Sequence, residues 1–209
     1  MAPAIFHLKQ ESVLSVGQPV TAPIATTFRG HGIRMMFLGF FGTWWTITGC
    51  QGLYGASIPV VTAAAIVGLS IFFVGLYLSS TSAQRPQEEQ PEALQWARTR
   101  TFRNTNIVQW AAIAALIVTL NVIGHGEWLL PGIMAIVGLH FLPLAKLFPT
   151  SKANNLITGL ALVAVALIYP FVAAGGPQSP WGPLVAGLIL WTSALITFAT
   201  VIRSRNTQA

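Results

Sequence analysis

Residues 129–148 read LLPGIMAIVGLHFLPLAKLF, with one histidine near the middle and one lysine close to the end. About 20 apolar residues in a helix cross a hydrocarbon core about 30 Å thick. The stretch is too long and too continuously apolar for a strand of a membrane barrel, in which apolar and polar residues alternate. It therefore predicts a transmembrane α-helix.

Five further apolar stretches accompany this one. The six predicted spans are 35–53, 59–78, 106–123, 129–148, 156–173 and 182–202. Because backbone polar groups in lipid must be satisfied within the protein, each span is expected to be helical. The predicted fold class is an all-α, six-helix transmembrane bundle of three consecutive helical hairpins. It occupies residues 31–203, with a cytoplasmic leader at 1–30, a cytoplasmic loop at 79–105 and a cytoplasmic tail at 204–209.

The composition fits a protein whose solvent is the bilayer. Hydrophobic residues make up 54% of the chain and charged residues only 8%, against about 25% charged residues in soluble domains. The formal net charge is +6, but the basic residues are scattered beside apolar spans and do not form one patch. We expect the lipid bilayer as partner, and no nucleic acid.

The basic residues also predict an orientation. They lie before the first span, in loop 79–105, around the turn near residue 150 and in the tail, and Arg34 is the last one before the first span. The connections on the other side carry no lysine or arginine. By the positive-inside rule, both termini are predicted to be cytoplasmic.

Small residues recur at intervals of three and four in several spans, and AIVGL occurs at both 65–69 and 135–139. Such stripes let helix backbones approach closely in lipid. The residues predicted to pack helices together are Gly39, Gly42, Ala65, Gly68, Gly75, Ala135, Gly138 and Ala145. We hypothesise an ancestral hairpin in three copies; convergence on common membrane residues is the alternative.

His140 is the one ionisable side chain predicted to lie deep in a span. Polar groups there are costly and often functional. It is either a neutral histidine that bonds a neighbouring helix, or part of a ligand, proton or metal site. Other polar or aromatic side chains at similar depth, which form either a pocket with His140 or close-packed core, are Trp44, Trp45, Ser70, Trp191 and Thr192.

The sequence offers little for catalysis, cofactors or metals. No Asp or Glu lies within a span, and His7, His31 and His125 lie outside the spans, so a pair of haem ligands is missing. His125, Glu127 and Cys50 lie on the outer face, but their spacing is not a recognised zinc pattern and favours a solvated turn. We predict no catalytic site, no cofactor and no metal, and hence a protein that is not an enzyme.

The segment WLLPGIMAIVGLHFLPLAKLF, residues 128–148, is followed by a short basic turn and another helix. It resembles a motif of small, mostly uncharacterised bacterial polytopic membrane proteins. The resemblance covers the fourth predicted helix and extends to the start of the fifth, about a fifth of the chain. It implies location in a bacterial inner membrane and carries over no activity and no functional residue.

Two classes of function fit these features. A transporter or other solute-handling protein would bind a neutral or weakly charged small molecule in the layer around His140. A nonenzymatic scaffold, assembly or stress-related accessory protein would use the small-residue stripes to hold a second copy or another membrane protein. Polar residues on the third span favour solute handling slightly.

Overall fold

The computed structural model describes residues 24–55, 57–82 and 92–206, and within these ranges the chain is helical with no strand. The prediction of an all-α bundle with six long helices is confirmed. The helices are α1 (Ile24–Tyr54), α2 (Ile58–Ser82), α3 (Glu92–Val122), α4 (Leu129–Leu147), α5 (Lys152–Val172) and α6 (Trp181–Asn206). Short 3-10 turns at Gly126–Trp128, Pro149–Ser151 and Gly176–Gln178 precede α4, α5 and α6.

The helices α2 to α6 each contain a segment long and apolar enough to cross a membrane. α1 falls short by composition, since tryptophan, threonine and glycine dilute its apolar residues. It nevertheless lies against α2 at Gly32 and against α6 at Gly49, positions about 25 Å apart at 1.5 Å per residue. α1 therefore runs alongside two apolar helices, and the chain is a multi-pass membrane protein.

The helices pack in an open series. α1 contacts α2 and α6, α6 contacts α5, α5 contacts α4, and α4 contacts α3. Short connections make the partners in each hairpin neighbours, and the contact between α1 and α6 joins the first hairpin to the third. α2 and α3 are the ends of the series. The largest side chains of the core come from the helices between them: Met35, Trp45, Met134, Leu162 and Leu190.

Glycines make the closest contacts between helices. A Cβ added to Gly138 would lie 2.8 Å from the carbonyl oxygen of Gly159 in α5, and one added to Gly75 would lie 2.7 Å from that of Gly32 in α1. Gly68 lies against the side chain of Thr43. Such spacing leaves room for a hydrogen but not for a side chain.

The other predicted packing residues differ in their surroundings. Gly39 faces α2, where an added Cβ would lie 3.0 Å from the backbone nitrogen of Phe72. Gly42 faces α6, because its added Cβ would lie 2.6 Å from the ring of Trp191. Three alanines of the predicted stripes are half-buried or buried: Ala65, Ala135 and Ala145.

The predicted loop 79–105 requires correction. Residues 79–82 continue α2, and 92–105 form the first turns of α3, which runs unbroken to Val122. Hydropathy marks where a chain leaves the apolar core, whereas a helix continues as long as its residues favour it. The segment after Glu92 is rich in good helix formers such as Ala, Leu, Gln and Arg, so the helix extends beyond its apolar segment.

The ends of the chain differ from their predictions in the same way. α1 begins at Ile24, so residues 24–30 of the predicted leader are helical, and α6 ends at Asn206, within the predicted tail. The rest of the leader, residues 1–23, lies outside the described residues, as do 207–209 of the tail.

Candidate functional site

The six residues predicted to form a layer at mid-depth are not brought together. Trp45 is 2% exposed and belongs to the core, whereas Trp191 is half-buried and lies against Gly42 of α1. The remaining members apart from His140 are exposed on three different helices: Trp44 on α1, Ser70 on α2 and Thr192 on α6.

His140 is half-buried and faces a different neighbour. Its ring lies beside the backbone of Thr105 in α3 and meets the ring of Phe141 edge to face, with centroids 6.4 Å apart. Its Nδ1 is buried without a hydrogen-bond partner. His140 therefore lies toward α3, at the end of the helix series, and away from the tryptophans of α1 and α6.

His140→Leu should have a small effect on stability. Leucine keeps similar bulk, and one ring nitrogen already lacks a partner, so the loss is at most one interhelical bond, about 0.6 kcal/mol. The change in the free energy of unfolding is measured by unfolding the detergent-solubilised protein with dodecyl sulfate. A loss beyond about 2 kcal/mol would exceed what one such bond supplies and would contradict this interpretation.

The three residues considered as zinc ligands do not come together in the structure. His125 Nδ1 lies 2.9 Å from Glu127 Oε1, while Cys50 is buried within α1. Among the described residues, no three His, Cys, Asp or Glu side chains are close enough to hold a metal ion.

The structure places Arg34 within the bundle, although the sequence assigned it to the basic flank before the first span. It is half-buried, and its Nη2 donates to the hydroxyl oxygen of Ser193 in α6 at 2.9 Å. Its Nε and Nη1 are buried with no hydrogen-bond partner. The guanidinium thus keeps unused donors where the surroundings are poor in water.

A network of uncharged polar side chains surrounds this contact. Asn154 of α5 donates from Nδ2 to the carbonyl oxygen of Ser193 at 3.0 Å and to Thr197 Oγ1 at 3.2 Å. Its Oδ1 accepts from Ser193 Oγ at 3.1 Å. Thr158 donates to Ser193 Oγ at 2.8 Å. We call Arg34, Asn154, Thr158, Ser193 and Thr197 the polar cluster; it joins α1, α5 and α6.

A cavity adjoins the polar cluster. Its empty volume is about 580 Å³, part of it open to the outside. Asn154 and Thr197 line it from the cluster, and His31 and Ser151 line it nearby. His31, which the sequence analysis placed outside the spans, is 7% exposed, and its Nε2 lies 3.3 Å from Ser151 Oγ.

The positive charge of Arg34 has no carboxylate beside it in the described part of the chain. The one carboxylate whose side chain is described, Glu127, pairs with His125 at the far end of α4 from Ser151. Transfer of a charge into a low-dielectric interior is costly unless it is paired, so an anion close to this guanidinium would lower the cost of burying it.

Sequence reasoning missed the polar cluster because its members are spread over three helices. Arg34 lies directly outside the predicted span 35–53, so it counted as an anchor. A local signal was present: Asn154 and Thr158, and likewise Ser193 and Thr197, are four residues apart and therefore share one face of their helix. That signal does not show that the two faces meet.

Comparisons with protein-family models, curated proteins and solved structures found no match to this chain.

Proposed function

We propose that this protein binds a small molecule in the cavity beside the polar cluster, as a multi-pass protein of a bacterial inner membrane with both termini in the cytoplasm. The observation that carries the proposal is the buried guanidinium of Arg34, whose Nε and Nη1 are unpaired. Handling of a bound solute, by storage or by transport, is the function that fits such a site best.

The polar cluster contains more than is needed to hold helices together. Hydrogen bonds between transmembrane helices stabilise a protein by about 0.6 kcal/mol each. Two uncharged polar side chains would be enough to form such a bond. A guanidinium adds a cost of several kcal/mol in a low-dielectric site. Polar and charged side chains retained at such a cost are typical of substrate and ion sites.

The cavity lies near one end of the bundle. Two residues that line it lie at the start of α5: Ser151 directly precedes the helix, and Asn154 is its third residue. Lys152 is exposed at the same end, and the basic turn to which it belongs is the one that the positive-inside rule assigns to the cytoplasm. The proposed ligand therefore enters from the cytoplasmic half of the membrane.

Mass spectrometry of the purified protein tests the proposal. The wild-type protein should retain a small molecule that Ala153→Trp loses, because Ala153 is exposed and lines the cavity, which an indole would fill. Ala114→Trp on the exposed face of α3 is the matched control and should retain the molecule. Equal retention by both variants, or none by the wild-type protein, would count against the cavity as the site.

Labelling of single cysteines should confirm the orientation. In a Cys50→Ala background, a cysteine at Gln178 should react with a membrane-impermeant reagent from outside. Cysteines at Gln87 and Thr207 should react only after the membrane is opened, because the basic residues lie on their side. Any one of the three on the opposite side would exclude six crossings with cytoplasmic termini.

One observation favours the second candidate, a scaffold. α2 and α3 are the ends of the helix series and present many exposed apolar side chains, among them Phe73 at 58% and Val118 at 63%. A second copy or another membrane protein would cover these faces. Light scattering of the detergent complex tests this, since a scaffold that acts by self-association should be a stable oligomer and the small-molecule protein need not be.

A further inference from the structure

We infer that the ligand of the cavity is an amphiphile with an anionic head, a carboxylate or a phosphate, and an apolar tail. The inference rests on the proposed function, since it names the chemical class that the same cavity binds. Two features carry it: a positive charge directly behind the polar wall of the cavity, and an apolar edge exposed on the lipid side.

The distance of the charge from the cavity follows from shared hydrogen bonds. Arg34 Nη2 and Asn154 Oδ1 both bond Ser193 Oγ, at 2.9 and 3.1 Å, so the two atoms are at most about 6 Å apart. Asn154 lines the cavity. An anion against that wall would feel the guanidinium at short range, and the weak screening away from water strengthens this attraction.

The polar groups on the wall can also orient an anionic head. Thr197 and Asn154 are held by the network, and Ser151 Oγ lies 3.3 Å from His31 Nε2. A hydroxyl and an imidazole N–H are both donors for an oxyanion. A cationic head would meet Arg34 as a like charge and is excluded by the same geometry.

The apolar edge of the cavity provides a surface for the apolar tail of the ligand. Ile157 of α5 and Ile196 of α6 line the cavity and are 66% and 48% exposed on the surface of the bundle. That surface faces acyl chains in a membrane. A ligand with its head at the polar cluster can therefore lay an apolar chain along both isoleucines. A compact, fully polar anion would leave these contacts unused.

Binding of two dodecyl amphiphiles of opposite charge tests the inference. The protein in a neutral maltoside detergent is titrated with dodecanoate and with dodecyltrimethylammonium, and the affinity is read from tryptophan fluorescence. Dodecanoate should bind, and the cationic amphiphile should bind at least about tenfold more weakly. Arg34→Met should weaken dodecanoate by about tenfold, and Arg34→Lys by less, because lysine keeps the charge.

Two further variants distinguish the charge of Arg34 from other charges near the cavity. Lys152→Gln removes an exposed cation near the same end and should leave dodecanoate binding unchanged, since surface charges are screened. Asn154→Asp places a carboxylate near Arg34 and should lose dodecanoate. Because it also removes the Nδ2 donor to Ser193 and Thr197, its binding is compared with that of Arg34→Met only after unfolding by dodecyl sulfate has shown that it is folded. If Lys152→Gln weakens binding as much as Arg34→Met does, the attraction belongs to the surface and the inference is overturned.

The source of the anion is distinguished by a second measurement. Nanodiscs of phosphatidylglycerol and of phosphatidylcholine are compared by mass spectrometry of the protein after extraction. Retention of phosphatidylglycerol by the wild-type protein, and its loss in Asn154→Asp, would identify the ligand as a phospholipid with an anionic head. If neither lipid is retained and dodecanoate still binds, the ligand is a free carboxylate. Both results support the inference.

Failure of the inference differs from failure of the proposed function. If both dodecyl amphiphiles bind equally and Ala153→Trp abolishes both, the cavity is a ligand site without charge selectivity, and only the inference fails. If neither binds and the wild-type protein retains nothing, both fail. A carboxylate of this chain could also pair with Arg34, and its removal would free the site. If the combined substitutions Glu11→Gln, Glu88→Gln, Glu89→Gln and Glu92→Gln raise the affinity for dodecanoate about tenfold, such a carboxylate occupies the site, which overturns the inference.

Discussion

Gly138→Leu should unfold the contact between α4 and α5 and lower the free energy of unfolding by about 3 kcal/mol or more. A Cβ at Gly138 would lie 2.8 Å from the carbonyl oxygen of Gly159 and 2.9 Å from the backbone nitrogen of Val163. Both neighbours are backbone atoms, which cannot turn aside as a side chain can. The helices must therefore separate along the whole contact, and unfolding by dodecyl sulfate will measure the loss.

Gly68→Leu should have a comparable effect, because Thr43 of α1 occupies the place of any added side chain. Gly30→Leu is the matched control: no atom lies within 4 Å of its added Cβ, and leucine is a better helix former than glycine by about 0.8 kcal/mol. If all three variants unfold at the same point as the wild-type protein, the small residues face lipid and do not hold the bundle together.

Asn154→Leu should be the most damaging change in the polar cluster. Asn154 bonds the Ser193 carbonyl and hydroxyl oxygens and the hydroxyl of Thr197, and leucine supplies none of these bonds at similar bulk. Arg34 and Thr158 still donate to the Ser193 hydroxyl oxygen, and Thr197 Oγ1 still donates to the Ser193 carbonyl oxygen. The cost is therefore that of three lost bonds between helices, about 0.6 kcal/mol each. We expect a loss of about 2 kcal/mol in unfolding by dodecyl sulfate, together with loss of the retained small molecule.

Asn121→Leu is the matched control for this change. Asn121 is exposed on α3, and its Nδ2 donates to the carbonyl oxygen of Ile117 in its own helix, at 2.7 Å. Its replacement removes no contact between helices, so stability should stay within about 0.5 kcal/mol of the wild-type protein. An equal loss in both variants would show that the polar cluster has no special part in joining α1, α5 and α6.

Much of the fold follows from the sequence because a bilayer imposes one strong rule. Apolar segments of about 20 residues must be helical in lipid, and five of the six predicted spans meet the criteria of length and hydropathy as helices of the structure. The helix ends did not follow: α3 begins at Glu92, well before the predicted span, because a helix also continues in water when its residues favour it.

The candidate site did not follow from the sequence, and two residues show why. His140 looked exceptional because it is ionisable and lies in the middle of a span, yet it lies beside α3 and joins no cluster of polar side chains. Arg34 looked ordinary at the edge of a span, yet it reaches Ser193 in α6. Depth along the membrane can be read from one segment, whereas the direction of a side chain around the helix axis acquires meaning only from its neighbours.

The sequence by itself determined that the chain lies in a membrane and how many long helices it has, because each of these depends on one segment and its solvent. Only the tertiary structure decided which helices are neighbours. The contact of α1 with α6 joins residues 159 positions apart, Arg34 and Ser193. In lipid, apolar residues gain little from choosing one neighbour over another, so close fits such as Gly138 on Gly159 select the partners.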